Sequence, residues 1–167
     1  MSPNRFLAVG KPAPVFSLPN QAGKKVSLKD FKGKKHVVLY FYPKALTSGC
    51  TVQACAIRDH ANQFKKLNLE VLGVSIDSVE RLKKFAEKEG LNFNLLSDED
   101  HQIAEKYGVW QKKKLYGREY MGLVRSTYII GKDGKIKHIM PKVATKTHHC
   151  DVLEWATQNL VPAKSKN

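Results

Sequence analysis

The chain has 167 residues, 42% of them hydrophobic, which excludes a disordered or low-complexity protein and fits one domain with a real core. Lys and Arg total 29 against 15 Asp and Glu, a formal charge of +14, which raises nucleic acid as a partner. Against that, only five of the 29 are Arg, and the lysines are scattered along the chain in the manner of a solvated surface, so no specific nucleic acid partner is expected.

No apolar run approaches the ~20 residues of a membrane helix, and residues 1–10 show no charged segment leading into a long apolar one, so neither a membrane nor a secretory leader is expected. Cys50, Cys55 and Cys150 are too few, and odd in number, for a disulfide scaffold. They fit a reducing cytosol, hence a cytoplasmic location, where such thiols are either buried and inert or catalytic.

In chain order, residues 15–18 and 26–28 alternate around Pro19-Asn20-Gln21-Ala22-Gly23, which predicts an N-terminal hairpin. Residues 36–42, HVVLYFY, are β-branched and aromatic without alternation, as in a central strand covered on both faces. Pro43 ends that strand because it cannot donate to the ladder. A loop at 44–49 leads into a predicted helix over 51–67, with Ala54, Ile57, Ala61, Phe64 and Leu67 three and four apart. Residues 69–76 read as a second buried strand. Asp77, with Glu80 three residues on, is expected to cap a helix over 78–89 that Gly90 stops. A third strand at 93–96 precedes Asp98, the expected cap of a short helix over 99–107 that ends at Gly108. Residues 126–130 and 135–139 flank Gly131-Lys132-Asp133-Gly134, a hairpin turn. A last helix over 148–160 turns Val152, Leu153, Ala156 and Leu160 inward, and about 161–167 is expected to be a frayed tail. Alternating strands and helices followed by a hairpin imply an α/β sheet with parallel crossovers and an antiparallel edge. Segment 43–50 then lies beyond the C-terminal ends of the parallel strands, where such sheets hold their sites.

Cys50 follows Thr47-Ser48-Gly49 near the first turn of a helix. Unpaired N–H groups and the positive end of the helix dipole favour thiolate there, and Gly49 carries no side chain to block the sulfur. A small buried residue is the ordinary role of a free cysteine; the strand-loop-helix junction argues for reactivity. Cys55 makes C-x4-C, not the C-x2-C of thioredoxin-type oxidoreductases. In an intact helix five residues separate the two Cα atoms by roughly 8.6 Å, whereas a disulfide needs about 7 Å or less. The two can bond only if the helix start unwinds; otherwise Cys55 is an inward residue beside Ala54 and Ala56.

Pro43, Thr47 and Cys50 form P-x3-T-x2-C within FYPKALTSGCTVQAC. This string resembles the peroxiredoxins, and its C-x4-C extension the peroxiredoxin Q group, also called bacterioferritin comigratory proteins. GKPAPVFSL, GVSIDSVERLKKFAEK and GVWQKKKLYGREYMGLVRSTYIIGKDG are similar to the same family, so the resemblance covers about residues 10–160. It implies a thioredoxin-like α/β fold, a central mixed sheet flanked by helices with an N-terminal hairpin, in a single domain over 1–167. It implies a thiol-specific peroxidase for hydrogen peroxide and organic hydroperoxides, serving antioxidant defence, with no metal, haem, flavin or other cofactor. By the same resemblance Cys50 is the peroxidatic cysteine that becomes sulfenic acid. Thr47 holds the thiolate and the peroxide oxygens. Arg125 brings a fixed positive charge, and Pro43 shields the thiolate. Cys55 resolves the sulfenic acid as an intramolecular disulfide, which thioredoxin or a similar dithiol reduces. Such a disulfide needs no second subunit, so a monomer is expected, with weak dimerisation left open. Singly, Thr47 reads as a helix cap, Arg125 as a surface ion pair and Pro43 as a strand stop. Ser48 stands where this family often has proline, Gly131 where it often has an acid, and Cys150 where it usually has no cysteine. His148, His149 and Cys150 suggest a metal, but adjacent helical residues point ~100° apart and rarely meet one ion; Cys150 reads as incidental. His36, His60, His101 and His138 have no identifiable partners. Two rival functions are a thiol–disulfide oxidoreductase on the same fold and a basic nucleic-acid-binding protein.

Overall fold

In the computed structural model, which describes residues 6–160, the chain runs β1 (Ser17–Pro19), β2 (Lys25–Ser27), β3 (His36–Phe41), α1 (Ser48–Asp59), α2 (Ala61–Lys66), β4 (Leu69–Ser75), α3 (Val79–Glu89), β5 (Asn94–Ser97), α4 (Gln102–Lys106), β6 (Trp110–Leu115), β7 (Arg118–Leu123), β8 (Ser126–Ile130), β9 (Ile136–Met140) and α5 (His148–Asn159). Five strands make one sheet in the order β5-β4-β3-β8-β9. The β3–β4 and β4–β5 pairs are parallel; β3–β8 and β8–β9 are antiparallel. This is the thioredoxin-like mixed sheet that the resemblance implies, with the antiparallel hairpin β1–β2 ahead of it.

Because β3 is central, its apolar run serves two cores. Val37, Leu39 and Phe41 pack with the N-terminal hairpin and with Ile103 and Ala104 of α4. Val38, Tyr40 and Tyr42 pack with Ala54 and Ile57 of α1, Leu82 and Phe85 of α3, and Val152 and Ala156 of α5. A strand covered on both faces has no polar side to alternate with. On the second face Tyr40 lies across Gly73, its register partner on β4. A Cβ at Gly73 would fall 2.9 Å from Tyr40 Cζ, and the ring is fully buried against Tyr42, Phe93 and His148. Gly73→Ala therefore overpacks the core and is expected to cost about 1–3 kcal/mol. Urea denaturation checks it, and an unchanged midpoint would mean that the ring has room to move.

Several local expectations change. The helix predicted over 51–67 starts earlier, at Ser48, and breaks at His60 into α1 and α2. The His60 Nδ1 bonds to the Ala56 carbonyl at 2.7 Å while the His60 backbone N–H turns to Ile57; a side chain that occupies the i−4 carbonyl competes with the helix ladder. Asp77 is not the cap of α3. The Ser78 hydroxyl accepts from the Arg81 N–H instead, and Asp77 is buried behind it. Gly90 does end α3, in a left-handed conformation with φ 61°. The short helix shrinks to α4 because His101 adopts φ 49° ahead of it; the Asp98 carboxylate still receives the N–H groups of Ile103 and Ala104. The hairpin β6–β7, for which no strands are predicted, turns at Tyr116-Gly117, both with positive φ. Its strands are mostly exposed, so no apolar alternation marks them. The expected tail at 161–167 lies outside the described residues.

Candidate active site

The backbone leaves β3 with one more ladder bond, Tyr42 N–H to Val74 O at 3.0 Å, and Pro43 follows half-buried. The next turn is clamped from the side. The Ala45 N–H donates to Asp77 Oδ2 at 2.7 Å and the Ala45 carbonyl accepts from Arg81 Nη2 at 2.8 Å. Asp77 and Arg81 are themselves an ion pair at 3.0 Å, and the Ser75 hydroxyl donates to Asp77 at 2.7 Å. Leu46 then takes φ 69°, a conformation uncommon for a residue with a Cβ. Thr47 occupies the N-cap position of α1 in an extended conformation. Its hydroxyl does not cap: it donates back to the Lys44 carbonyl at 2.7 Å. The first turn of α1 contains no acidic residue, so its positive end is left to other anions.

Cys50 is the third residue of α1 and is 2% exposed. Arg125, in the short connection from β7 to β8, donates from Nη2 to Cys50 Sγ at 3.3 Å and from Nη1 to Gln53 Oε1 at 2.6 Å. Gln53 Nε2 is 3.0 Å from His148 Nδ1, and His148 Nε2 is 2.7 Å from Thr127 Oγ1. Burial, with His149 and Arg125 nearby, pushes the His148 imidazole down to about 3, so the ring is neutral at physiological pH. A second cation reaches the same place. Lys113 of β6 donates from Nζ to the Leu123 carbonyl at 2.6 Å. Burial and repulsion by Arg125 push its amine down, and attraction to the Cys50 sulfur pulls it back up. A Cβ at Gly49 would sit 3.5 Å from Arg125 Nη2, an ordinary contact; the glycine leaves room beside the guanidinium without being sterically required.

Cys55 is on the same intact helix, half-buried, with Cys50 and Cys55 both free thiols. Its Sγ donates to Glu89 Oε1 at 3.5 Å. Burial and then that bond push the Cys55 thiol up, while Arg58 opposes them. Cys150 is exposed, 3.3 Å from His149 Nε2, whereas its neighbour His148 is buried. Among the described residues no group of three or more His, Cys, Asp or Glu side chains is arranged to hold a metal ion. The four histidines without predicted partners have them. His36 accepts from the Lys132 N–H, His60 bonds to Ala56, His101 pairs with Glu105 and stacks on Trp110, and His138 stacks on Trp155.

Of the five predicted site residues, the fold brings Cys50 and Arg125 into contact across 75 positions of sequence. Pro43 and Thr47 lie on the turn that enters α1, and among the described residues no hydrogen bond joins Thr47 to the Cys50 sulfur. Cys55 stays one and a half turns along the helix. Gln53, Lys113 and His148 are missed by the sequence. Gln53 had a signal, since a residue three after Cys50 shares its helix face; His148 stands out in the sequence only beside His149 and Cys150 as a metal cluster, not as a partner of this site, and Lys113 had no signal. Chemically, the arrangement is a buried sulfur at a positive helix end under a guanidinium, suited to an anionic nucleophile that meets developing negative charge.

A family model described as the AhpC/TSA family matches residues 9–139. Peroxiredoxin Bcp of Escherichia coli strain K12 is 51% identical over 153 residues, which is 92% of this chain and 97% of that protein. The structure of the Xanthomonas campestris bacterioferritin comigratory protein, described for its alkyl peroxide reduction activity, superposes with a TM-score of 0.85 at 28% identity, covering 92% of this chain and 100% of that one. A variant of Xylella fastidiosa PrxQ superposes with a TM-score of 0.88 at 28% identity, over 94% of this chain and 99% of that one. Among the described residues no helix is long and apolar enough to cross a membrane.

Proposed function

The chain belongs to the AhpC/TSA family and is a thiol peroxidase of the peroxiredoxin Bcp kind, and from that premise we propose that Cys50 is its peroxidatic cysteine, Arg125 its charge-stabilising residue and Cys55 its resolving cysteine. The observation that carries the reading is the guanidinium of Arg125 donating to Cys50 Sγ at 3.3 Å at the start of α1. The Cys50 thiolate attacks the terminal oxygen of a hydroperoxide. An S–O bond forms, the O–O bond breaks, and the alkoxide or hydroxide that leaves takes up a proton as alcohol or water. Arg125 faces the charge that develops on the departing oxygen. Thr47 has committed its proton to Lys44, so its oxygen is free to accept from the peroxide O–H. Pro43 walls the sulfur from water.

Cys55 then attacks the Cys50 sulfenic acid: an S–S bond forms, the S–O bond breaks and water leaves. Both residues lie in α1, and an intact helix keeps their Cα atoms about 8.6 Å apart, beyond disulfide reach. The first turn must open, and the Thr47 side chain makes no cap bond that would have to break. Once Cys50 is a neutral sulfenic acid, Arg125 grips it less. An external dithiol, for which we propose thioredoxin, reduces the disulfide by exchange and leaves as its own disulfide. The alkyl peroxide activity named for the Xanthomonas protein supports organic hydroperoxides as substrates beside hydrogen peroxide. Both cysteines belong to one helix of one chain, which supports a monomeric enzyme built as a single domain. Its free thiols suit the cytoplasm.

Thioredoxin-coupled peroxide consumption tests the cycle. Cys55→Ser is expected to complete one oxidation of Cys50 at the wild-type rate and then to stop turning over with thioredoxin. Unchanged turnover would remove Cys55 from the cycle and pass resolution to Cys150 or to an external thiol. Robust insulin reduction with no peroxide consumption would instead favour a thiol–disulfide oxidoreductase.

A further inference from the structure

We propose that His148 is a positioning residue for this chemistry: through Gln53, and anchored on Thr127, it fixes the guanidinium of Arg125 on the Cys50 sulfur. The proposal rests on the roles given above to Cys50 and Arg125, and it concerns a residue that touches neither.

The direction of every bond in the chain follows from chemistry. A guanidinium only donates, so Gln53 must present Oε1 to Arg125 Nη1, as it does at 2.6 Å. The Gln53 NH2 then faces away and needs an acceptor. Were the amide to flip, its own N–H groups would confront the cation. His148 Nδ1, 3.0 Å from Gln53 Nε2, is that acceptor. Nδ1 can accept only if the ring proton is on Nε2, and Thr127 Oγ1, 2.7 Å from Nε2, receives it. Thr127 is fully buried on β8 and in register with Tyr40 of β3. The relay therefore starts from the rigid centre of the sheet and ends at the sulfur.

The histidine is built into the core: it is 1% exposed and its ring packs on Tyr40 with centroids 5.4 Å apart. The titratable and charged groups that face it, His149 and Arg125, oppose a positive charge on the ring, which keeps Nδ1 available as an acceptor. Around Cys50 the facing groups are Arg125, Lys113 and the phenols of Tyr40 and Tyr42. Arg125 is a long side chain with rotamer freedom to lose. Its two terminal nitrogens are parts of one planar fork, so anchoring Nη1 on Gln53 aims Nη2 at Cys50. Gln53 also lies in α1 beside the turn that must open, so opening withdraws it from Arg125 and releases the guanidinium in the same motion.

Three readouts test this. In wild-type protein, 15N NMR of His148 should show a neutral ring with the proton on Nε2; a proton on Nδ1 would turn Gln53 around and overturn the proposal. In His148→Leu, alkylation of Cys50 followed by mass spectrometry should slow about tenfold at pH 7, with its pH profile displaced upward, and oxidation by hydrogen peroxide should slow to a similar extent. His148→Asn can offer Oδ1 where Nδ1 was, and is expected to recover most of that loss. A folded His148→Leu with wild-type alkylation, or an asparagine variant no better than the leucine one, would leave His148 as core packing alone and refute the role. Should His148→Leu fail to fold, Thr127→Val, which removes the anchor while conserving volume, is expected to shift the alkylation profile the same way, and no shift would refute the relay. Alkylation and NMR do not depend on turnover, so a failure of the relay is distinct from a failure of the peroxidatic assignment, which peroxide consumption by a Cys50 variant reads directly.

Discussion

Cys50→Ser is expected to reduce peroxide consumption by on the order of 10⁴-fold or more, to the limit of detection. The substitution exchanges Sγ for a smaller Oγ in a site that is 2% exposed, and the oxygen can still accept from Arg125, so the fold has no reason to fail. What disappears is the nucleophile. A hydroxyl at neutral pH is un-ionised, and no histidine or carboxylate bonds to Cys50 among the described residues to remove its proton. Neither a helix end nor a guanidinium is enough to turn a hydroxyl into an alkoxide at neutral pH. Coupled peroxide consumption together with a circular dichroism melt makes the comparison, and a folded serine variant that retains the rate would move the chemistry to another residue.

Arg125→Ala is the second large effect, expected to slow Cys50 oxidation by about 10²-fold or more. That is the usual size for loss of one donor aimed at developing charge. The change removes a charge-assisted hydrogen bond to sulfur, worth roughly 1.5–3 kcal/mol, and leaves the Gln53 carbonyl oxygen without its donor. Lys113 still contributes positive charge nearby, so the loss is partial where that of Cys50→Ser is complete. Arg125→Lys should recover little, because one ammonium cannot span Gln53 and Cys50 as the fork does. Stopped-flow oxidation and alkylation at neutral pH report both steps. A variant that alkylates and oxidises at the wild-type rate would reduce Arg125 to a surface charge.

The sequence carried the parts of the fold written in local chemistry. HVVLYFY announced a strand buried on both faces, Pro43 its end, Gly90 a helix stop and Gly131-Lys132-Asp133-Gly134 a hairpin. It also carried Cys50 at a helix start, because a cysteine after a strand, a loop and Thr47-Ser48-Gly49 is legible in one short window. Where two chemically similar neighbours compete for one role, the local pattern was insufficient: Asp77 and Ser78 both suit a cap, and the buried demand of Ala45 took Asp77. The β6–β7 hairpin gave no periodic signal because its strands are largely exposed and rich in lysine.

What determines the site beyond Cys50 is distance in sequence. The resemblance already pointed to Arg125, but its contact with a sulfur 75 residues earlier, and that of His148 with a glutamine 95 residues away, exist only in the fold. Sequence by itself determined where the Cys50 sulfur stands, at the start of a helix, since the strand end, the loop and the helix start are all legible within one short window. Only the tertiary structure decided what holds that atom's counter-charge in position, since hydrogen-bond direction through Thr127, His148 and Gln53 exists only once three elements pack together.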